Sequence, residues 1–220
     1  MANWESIYRS GKQLNRYPFS DIVSLVFQLR SKTPDLRVLE VGCGAGNNIY
    51  FMASEGVDVA GIDCAPSAIE FAKRRIGKDG LSADLKVGSF VELPWQDNTF
   101  DLVIDRSALN CVPRPQVQLA LKDIARVLKP GGRIYSQIYS DLHPAHRSAK
   151  NTSRNFTTEL TYSGFTDIDG LYFASKEDSL QLFSHFEFVD ILLSKTENSS
   201  GEIIAAQWSI TAFKADLDQV

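Results

Sequence analysis

An apolar run, Val38-Leu39-Glu40-Val41, feeds directly into Gly42-Cys43-Gly44-Ala45-Gly46-Asn47. An acid, Asp63, stands roughly twenty residues beyond the first of those glycines. This arrangement limits what the chain can fold into. The apolar run reads as a buried parallel strand. Glycines have no Cβ, so the backbone can turn sharply there and approach a ligand closely. The segment after Gly46 opens a helix, and the free N–H groups of its first turn face whatever sits above the loop. An acid at the end of the next strand is placed to bind ribose hydroxyls. The blander reading of the same residues is a plain strand–turn–helix unit with no ligand.

The glycine spacing narrows the ligand. A dinucleotide fingerprint runs G-x-G-x-x-G and needs its third glycine where Asn47 stands. The chain has G-x-G-x-G, preceded by Glu40. A carboxylate at that strand end suits a ligand with a cationic amino group better than a pyrophosphate. With Glu40, Gly42, Gly44 and Gly46 in the pattern E-x-G-x-G-x-G, the sequence resembles the class I S-adenosylmethionine-dependent methyltransferases. Two further runs add to the resemblance: Leu93-Pro94-Trp95-Gln96-Asp97-Asn98-Thr99-Phe100-Asp101-Leu102-Val103 and Leu128-Lys129-Pro130-Gly131-Gly132. The three matches fall in the family's order.

The rest of the chain predicts an α/β fold. A proline-started helix is expected over 18–31, strands over 36–41, 57–62, 85–87, 100–105 and 133–139, and helices after Asn47, Pro66 and Pro115. The helix from Pro115 is expected to end at Gly131-Gly132. Strands alternating with helices imply a parallel, doubly wound, Rossmann-like sheet. Two long β-like runs, 186–195 and 203–213, follow with only seven residues between them. No crossover helix fits in so short a link, so this last pair is antiparallel. The expectation is a seven-stranded, mostly parallel sheet with a C-terminal antiparallel hairpin and a small lid. Within a single domain over 1–220, we read 1–35 as an N-terminal helical flap and 36–140 as the cofactor-binding core. Residues 141–175 form a polar substrate lid, and 176–220 a C-terminal helix and hairpin.

The resemblance implies S-adenosyl-L-methionine as cofactor and assigns roles. Gly42, Gly44 and Gly46 line its methionine part, with Cys43 and Asn47 also counted in the cofactor site; Glu40 holds its amino group indirectly, and Asp63 takes the ribose hydroxyls with Cys64 beside the adenine. Family members often carry G-D-A after strand three; here Gly88-Ser89-Phe90 stands there, leaving Ser89 and the Phe90 amide for the adenine. Asp105 and Arg106 end strand four beneath the methyl donor.

The acceptor side is less legible. The lid holds His143 and His146, and an imidazole titrates near neutral pH, so these two are the candidate catalytic bases. No metal is expected, because an H-x-x-H pair has too few further ligands. Arg147 and Arg154 are placed to meet a substrate anion, and Tyr8 and Tyr17 to wall the pocket beside Trp4.

A formal charge of −4 and a pI near 5.4 leave no overall basic footprint for nucleic acid. No apolar run approaches the length of a membrane span, the N-terminus lacks a secretory pattern, and three scattered cysteines suit a reducing compartment. The expected protein is a cytoplasmic enzyme methylating an oxygen or nitrogen of a small molecule. An NAD(P)-dependent oxidoreductase and a non-catalytic cofactor-binding regulator are the alternatives.

Overall fold

The computed structural model describes residues 4–216. Its centre is a seven-stranded sheet in the order β3-β2-β1-β4-β5-β9-β8. The parallel strands are β1 (Arg37–Val41), β2 (Asp58–Asp63), β3 (Asp84–Val87), β4 (Phe100–Arg106) and β5 (Leu128–Tyr139). β8 (Glu187–Glu197) and β9 (Ile203–Phe213) form the antiparallel hairpin, with β9 against β5. Asn198 closes its turn, its side chain accepting from the Ser200 and Glu202 amides. The expected fold class is the observed one.

Each strand alternates its side chains between two apolar layers. Leu39, Val41, Val103, Ile134 and Ile138 face α5 (Arg114–Val127) and α7 (Lys176–Leu182). Val38, Leu102 and Ile104 face α2 (Ser20–Arg30), α3 (Asn47–Ser54) and α4 (Pro66–Lys78). Both layers run continuously from sheet to helix, so the strand ends are rigidly placed.

Three boundaries differ from the sequence reading. Helix α5 stops at Val127 rather than at Gly131-Gly132, because Leu128 already pairs with Phe100 as strand. The glycines sit inside β5, where a register irregularity needs the positive φ of Gly131. The flap is shorter than 1–35. Helix α2 belongs to the core, with Ile22, Val26 and Leu29 buried against the sheet, and only α1 (Trp4–Arg9) lies over the rim. The segment 141–175 has its own structure. It holds α6 (Pro144–Ser148), a hairpin of β6 (Thr157–Thr158) and β7 (Gly170–Leu171), and an apolar cluster around Phe173. Asn110 ties that hairpin down, since its side chain donates to the Tyr172 carbonyl at 2.7 Å and its own carbonyl accepts from the Tyr172 amide at 2.7 Å.

The Leu93–Asp97 turn owes its shape to one arginine. Arg126 donates to the carbonyls of Leu93 and Trp95 and to the carboxylates of Asp97 and Asp123. That motif is therefore a structural clamp before β4, well away from the glycine loop in the chain.

Candidate active site

At the carboxyl end of β1 the chain turns through Gly42, Gly44 and Gly46, with φ of +65°, +52° and +73°. L side chains rarely adopt this region, and each glycine also has a neighbour packed where a Cβ would go. That neighbour is the Ala108 methyl at Gly42, the Tyr8 phenol at Gly44, and the Ala72 Cβ, at 2.8 Å, at Gly46. The loop is thus closed in by three separate elements. Cys43 packs its thiol inward beneath it, 3% exposed, so only its backbone belongs to the rim.

Asp63 ends β2 beside this loop. Its Oδ2 accepts from the Gly44 amide and its Oδ1 from the Ala65 amide, each at 2.9 Å. Burial lifts its carboxyl above the usual range, while the two amides pull it back. A carboxylate has roughly four lone-pair directions, so one on each oxygen is left for a further donor. Cys64, next in the chain, is exposed.

Glu40 is buried within β1, at 3% exposure. Asn48 donates to its Oε1 at 2.6 Å, whereas its Oε2 is buried without a partner. Burial raises its carboxyl to about 8; Asp63 and Asp105 push the same way, and the Asn48 bond and Arg106 oppose. Three acids therefore crowd one corner, and a cation entering it would be stabilised while a pyrophosphate would be repelled. An orphaned buried acceptor is costly to leave unmade, which marks Glu40 Oε2 as a seat for a donor.

Asn47, Asn48 and Asp105 hold the architecture. Asn47 donates to the Tyr17 carbonyl at 3.0 Å, and Asn48 accepts from the Phe19 amide at 3.0 Å. Asp105 was expected at the cofactor, but it is fully buried. Its Oδ1 caps the Ala108 and Leu109 amides and its Oδ2 accepts from Ser136 at 2.6 Å. Burial raises it to about 6. Oδ1 serves the turn after β4 and Oδ2 ties that strand end to β5. Ser89 is exposed, its hydroxyl accepting from the Val91 amide, and Phe90 packs partly against the core.

Tyr8 lies on the glycine loop and not on the acceptor side. Burial and the nearby Asp63 carboxyl push its phenol far up. Tyr17 is 72% exposed, with Arg16 stacked on its ring, so only its carbonyl takes part. Arg147 is exposed. Arg154 pairs with Asp178 at 2.7 Å and is not free for a substrate anion.

The lid histidines differ from each other. His143 caps α6, its Nδ1 accepting from the Ala145 amide at 3.1 Å. The bond assigns the proton to Nε2, so His143 is a donor there and not a base. Burial, with help from His146, lowers it to about 4. Its ring packs among Tyr139, Tyr162, Phe165 and Phe173. His146 lines a cavity of about 270 Å³ with Asp141, Arg154, Phe173 and Asp178, and its Nδ1 lies 3.3 Å from the Thr157 hydroxyl. The Phe173 ring stands between that cavity and Tyr139.

Two residues were missed from the sequence. Asn48, the partner of Glu40, is an asparagine in the first turn after the loop, a position that signals capping work. Tyr139 is the last residue of β5, the strand end where ligand-facing residues of such sheets cluster.

A family model described as a methyltransferase domain matches residues 32–187. The chain belongs to this family. Among curated relatives, a probable phthiotriol/phenolphthiotriol dimycocerosates methyltransferase of Mycobacterium ulcerans is 34% identical over 116 residues, covering 52% of this chain and 42% of that protein. A fatty-acid O-methyltransferase of Mycolicibacterium smegmatis is 33% identical over 136 residues, covering 61% of this chain and 46% of its own length. The chain thus matches less than half the length of either. A solved structure described as an S-adenosylmethionine-dependent methyltransferase from Methanosarcina mazei shares the fold at TM-score 0.70 and 21% identity, over 90% of this chain and 99% of that one. The methyltransferase family match spans the glycine loop, Asp63, β4 and the lid. Among the described residues, no helix is long and apolar enough to cross a membrane.

Proposed function

We propose that the protein transfers a methyl group from S-adenosylmethionine to an oxygen or nitrogen of a small molecule. The observation that carries this reading is Glu40 Oε2, a buried, unpartnered acceptor in an acid-rich corner beside the glycine loop. That corner fits a ligand with an α-ammonium and a sulfonium, and disfavours the pyrophosphate of NAD(P).

The residues divide the work. Glu40 takes the ammonium, held in place by Asn48. The loop amides of Cys43, Gly44 and Gly46 are spent within the protein, so the free amides of the first turn of α3 face the methionine end. Asp63, its shape fixed by Gly44 and Ala65, accepts from the ribose hydroxyls. Ser89 and the Phe90 amide lie toward the adenine, with Cys64 at its edge. Tyr8, brought over the loop by α1, covers the mouth. When bound, the cofactor supplies an electrophilic methyl; the protein's task is to align an acceptor with it and keep water out. His146, and not His143, is the lid histidine whose cavity leaves it available to a proton. The fatty-acid and lipid methyltransferases among the relatives fit an organic acceptor. Three unpaired cysteines, Cys43, Cys64 and Cys111, fit a cytoplasmic setting.

A thermal-shift panel tests the reading. S-adenosylhomocysteine should raise the melting temperature, because it binds only the folded state, and NAD and NADP should not. Stabilisation by NAD without S-adenosylhomocysteine would overturn the cofactor. Turnover is tested with methyl-labelled S-adenosylmethionine against a metabolite library. Tight binding with no labelled product from any acceptor would leave a cofactor-binding regulator.

A further inference from the structure

Arg106 ends β4, and its guanidinium lies over the Phe19 ring, 4.2 Å from carbon to centroid. Phe19 is held there by the hydrogen bond its backbone N–H donates to Asn48 Oδ1. The Arg106 Nη1 donates to the Ser107 hydroxyl at 3.2 Å, and its Nε is buried without a partner. Arg114, Arg126 and Arg154 by contrast reach carboxylates, whereas Arg75 and Arg133, like Arg106, stack on rings. Among the described residues Arg106 makes no ion pair. Its charge acts on both Glu40 and the Tyr139 phenol. Opposite Arg106 on β5, Gln137 has a buried Oε1 without a partner.

Arg106 therefore ends β4, one strand from the Glu40 strand, with a stacked, partly desolvated guanidinium and an unused donor. A guanidinium presents a planar fork that matches a carboxylate through two parallel bonds. Resting on the function proposed above, we infer that Arg106 anchors a carboxylate of the acceptor, and that this carboxylate is not the atom methylated. The second half follows from the same bonds: two N–H donors draw electron density from the carboxylate oxygens and make them poorer nucleophiles. The acceptor is an organic acid whose nucleophile is a separate hydroxyl or amine. The Phe19 ring beneath the guanidinium gives that stretch one aromatic face, which suits a flat acceptor body.

The probes are 3-hydroxybenzoate and 3-aminobenzoate, with their uncharged amides as controls, titrated by calorimetry into the full chain loaded with S-adenosylhomocysteine. The acids should bind at least about tenfold tighter than the amides, the scale of one charge-assisted contact. Arg106→Met should erase that preference, and Arg106→Lys, a point charge without the fork, should keep part of it. Because the Arg106 charge acts on Glu40, removing a cation beside the ammonium seat should leave S-adenosylhomocysteine binding equal to or tighter than the wild type in Arg106→Met, and close to the wild type in Arg106→Lys. If Arg106→Met fails to fold by circular dichroism, Arg106→Lys alone decides. Acids and amides binding alike, or neither binding, would overturn the inference. A tenfold or greater loss of S-adenosylhomocysteine affinity in the variants would overturn it too, by placing Arg106 on the cofactor's own carboxylate. The same comparison on the unloaded protein separates the two failures. If S-adenosylhomocysteine does not bind the wild type, the function is wrong, and the acid preference still tests Arg106.

Discussion

Glu40→Gln is the most informative substitution. The folded protein raises the Glu40 carboxyl from an ordinary 4.5 to about 8, mainly by burial. A folded-state value above the unfolded one means the native protein holds the proton more tightly. Stability from this group is therefore complete below about pH 4.5, erodes as pH rises toward 8, and is level beyond. At 1.36 kcal/mol for each tenfold change in proton affinity, the full span is about 5 kcal/mol, an upper bound. Relaxation and water entry reduce it, and about 2–3 kcal/mol is the working figure. Glutamine keeps the acceptor for Asn48 and cannot ionise. The variant should match the wild type at pH 4.5 and exceed it by about 2–3 kcal/mol at pH 8.5. Urea unfolding at stepped pH measures both curves. Binding adds an independent readout. At pH 7 a carboxyl titrating near 8 is about nine-tenths protonated, so seating a cationic ammonium there should release close to one proton. Calorimetry in two buffers of different ionisation enthalpy counts it. The variant should release none and bind S-adenosylhomocysteine about ten- to a hundredfold more weakly, as expected for losing one charged hydrogen bond. Parallel stability curves together with no proton release in the wild type would refute the reasoning.

The remaining predictions concern the loop, the ribose seat and the lid. Asp63→Asn leaves one of the Gly44 and Ala65 amides facing an NH2 and the other on a neutral carbonyl, so it should weaken S-adenosylhomocysteine by at least about tenfold and lower the melting temperature by a few degrees; unchanged affinity in calorimetry would remove Asp63 from the site. Gly44→Ala forces a side chain into positive φ and against the Tyr8 phenol. It should cost about 1–2 kcal/mol of stability, part of which the double variant with Tyr8→Ala restores; no recovery in the double variant would mean that strain alone decides. His143 sits well below the ordinary histidine value, so the unfolded chain takes up its proton first, and stability present above about pH 6.5 is lost as pH falls toward 4. His143→Asn keeps an acceptor for the cap but cannot titrate, and should remove that acid-side loss while leaving turnover within a few-fold; a loss of about a hundredfold would restore His143 as a base.

The sequence by itself determined the cofactor end of this molecule, because those requirements are local. Positive φ at Gly42, Gly44 and Gly46, an acid at a strand end, and helix starts at prolines are written in neighbouring residues, and so is the antiparallel hairpin, since seven residues cannot cross a sheet. The order of the strands in the sheet was not among these, because alternation of strands and helices is compatible with more than one order. What only the tertiary structure decided lies where distant segments meet. Asp105 looked like a ligand because it ends a strand, but the turn after β4 and Ser136 on β5 consume both of its oxygens. Tyr8 and Tyr17 are alike in sequence; α1 lays one on Gly44, while the strap to Asn47 leaves the other in solvent. His143 and His146 are three residues apart on one short helix, yet one caps it inside an aromatic cluster and the other borders a cavity. The orphaned Glu40 Oε2 and the unpaired Arg106 are visible only in three dimensions. Whether a polar atom lacks a partner depends on every segment that packs around it, and no local pattern records that.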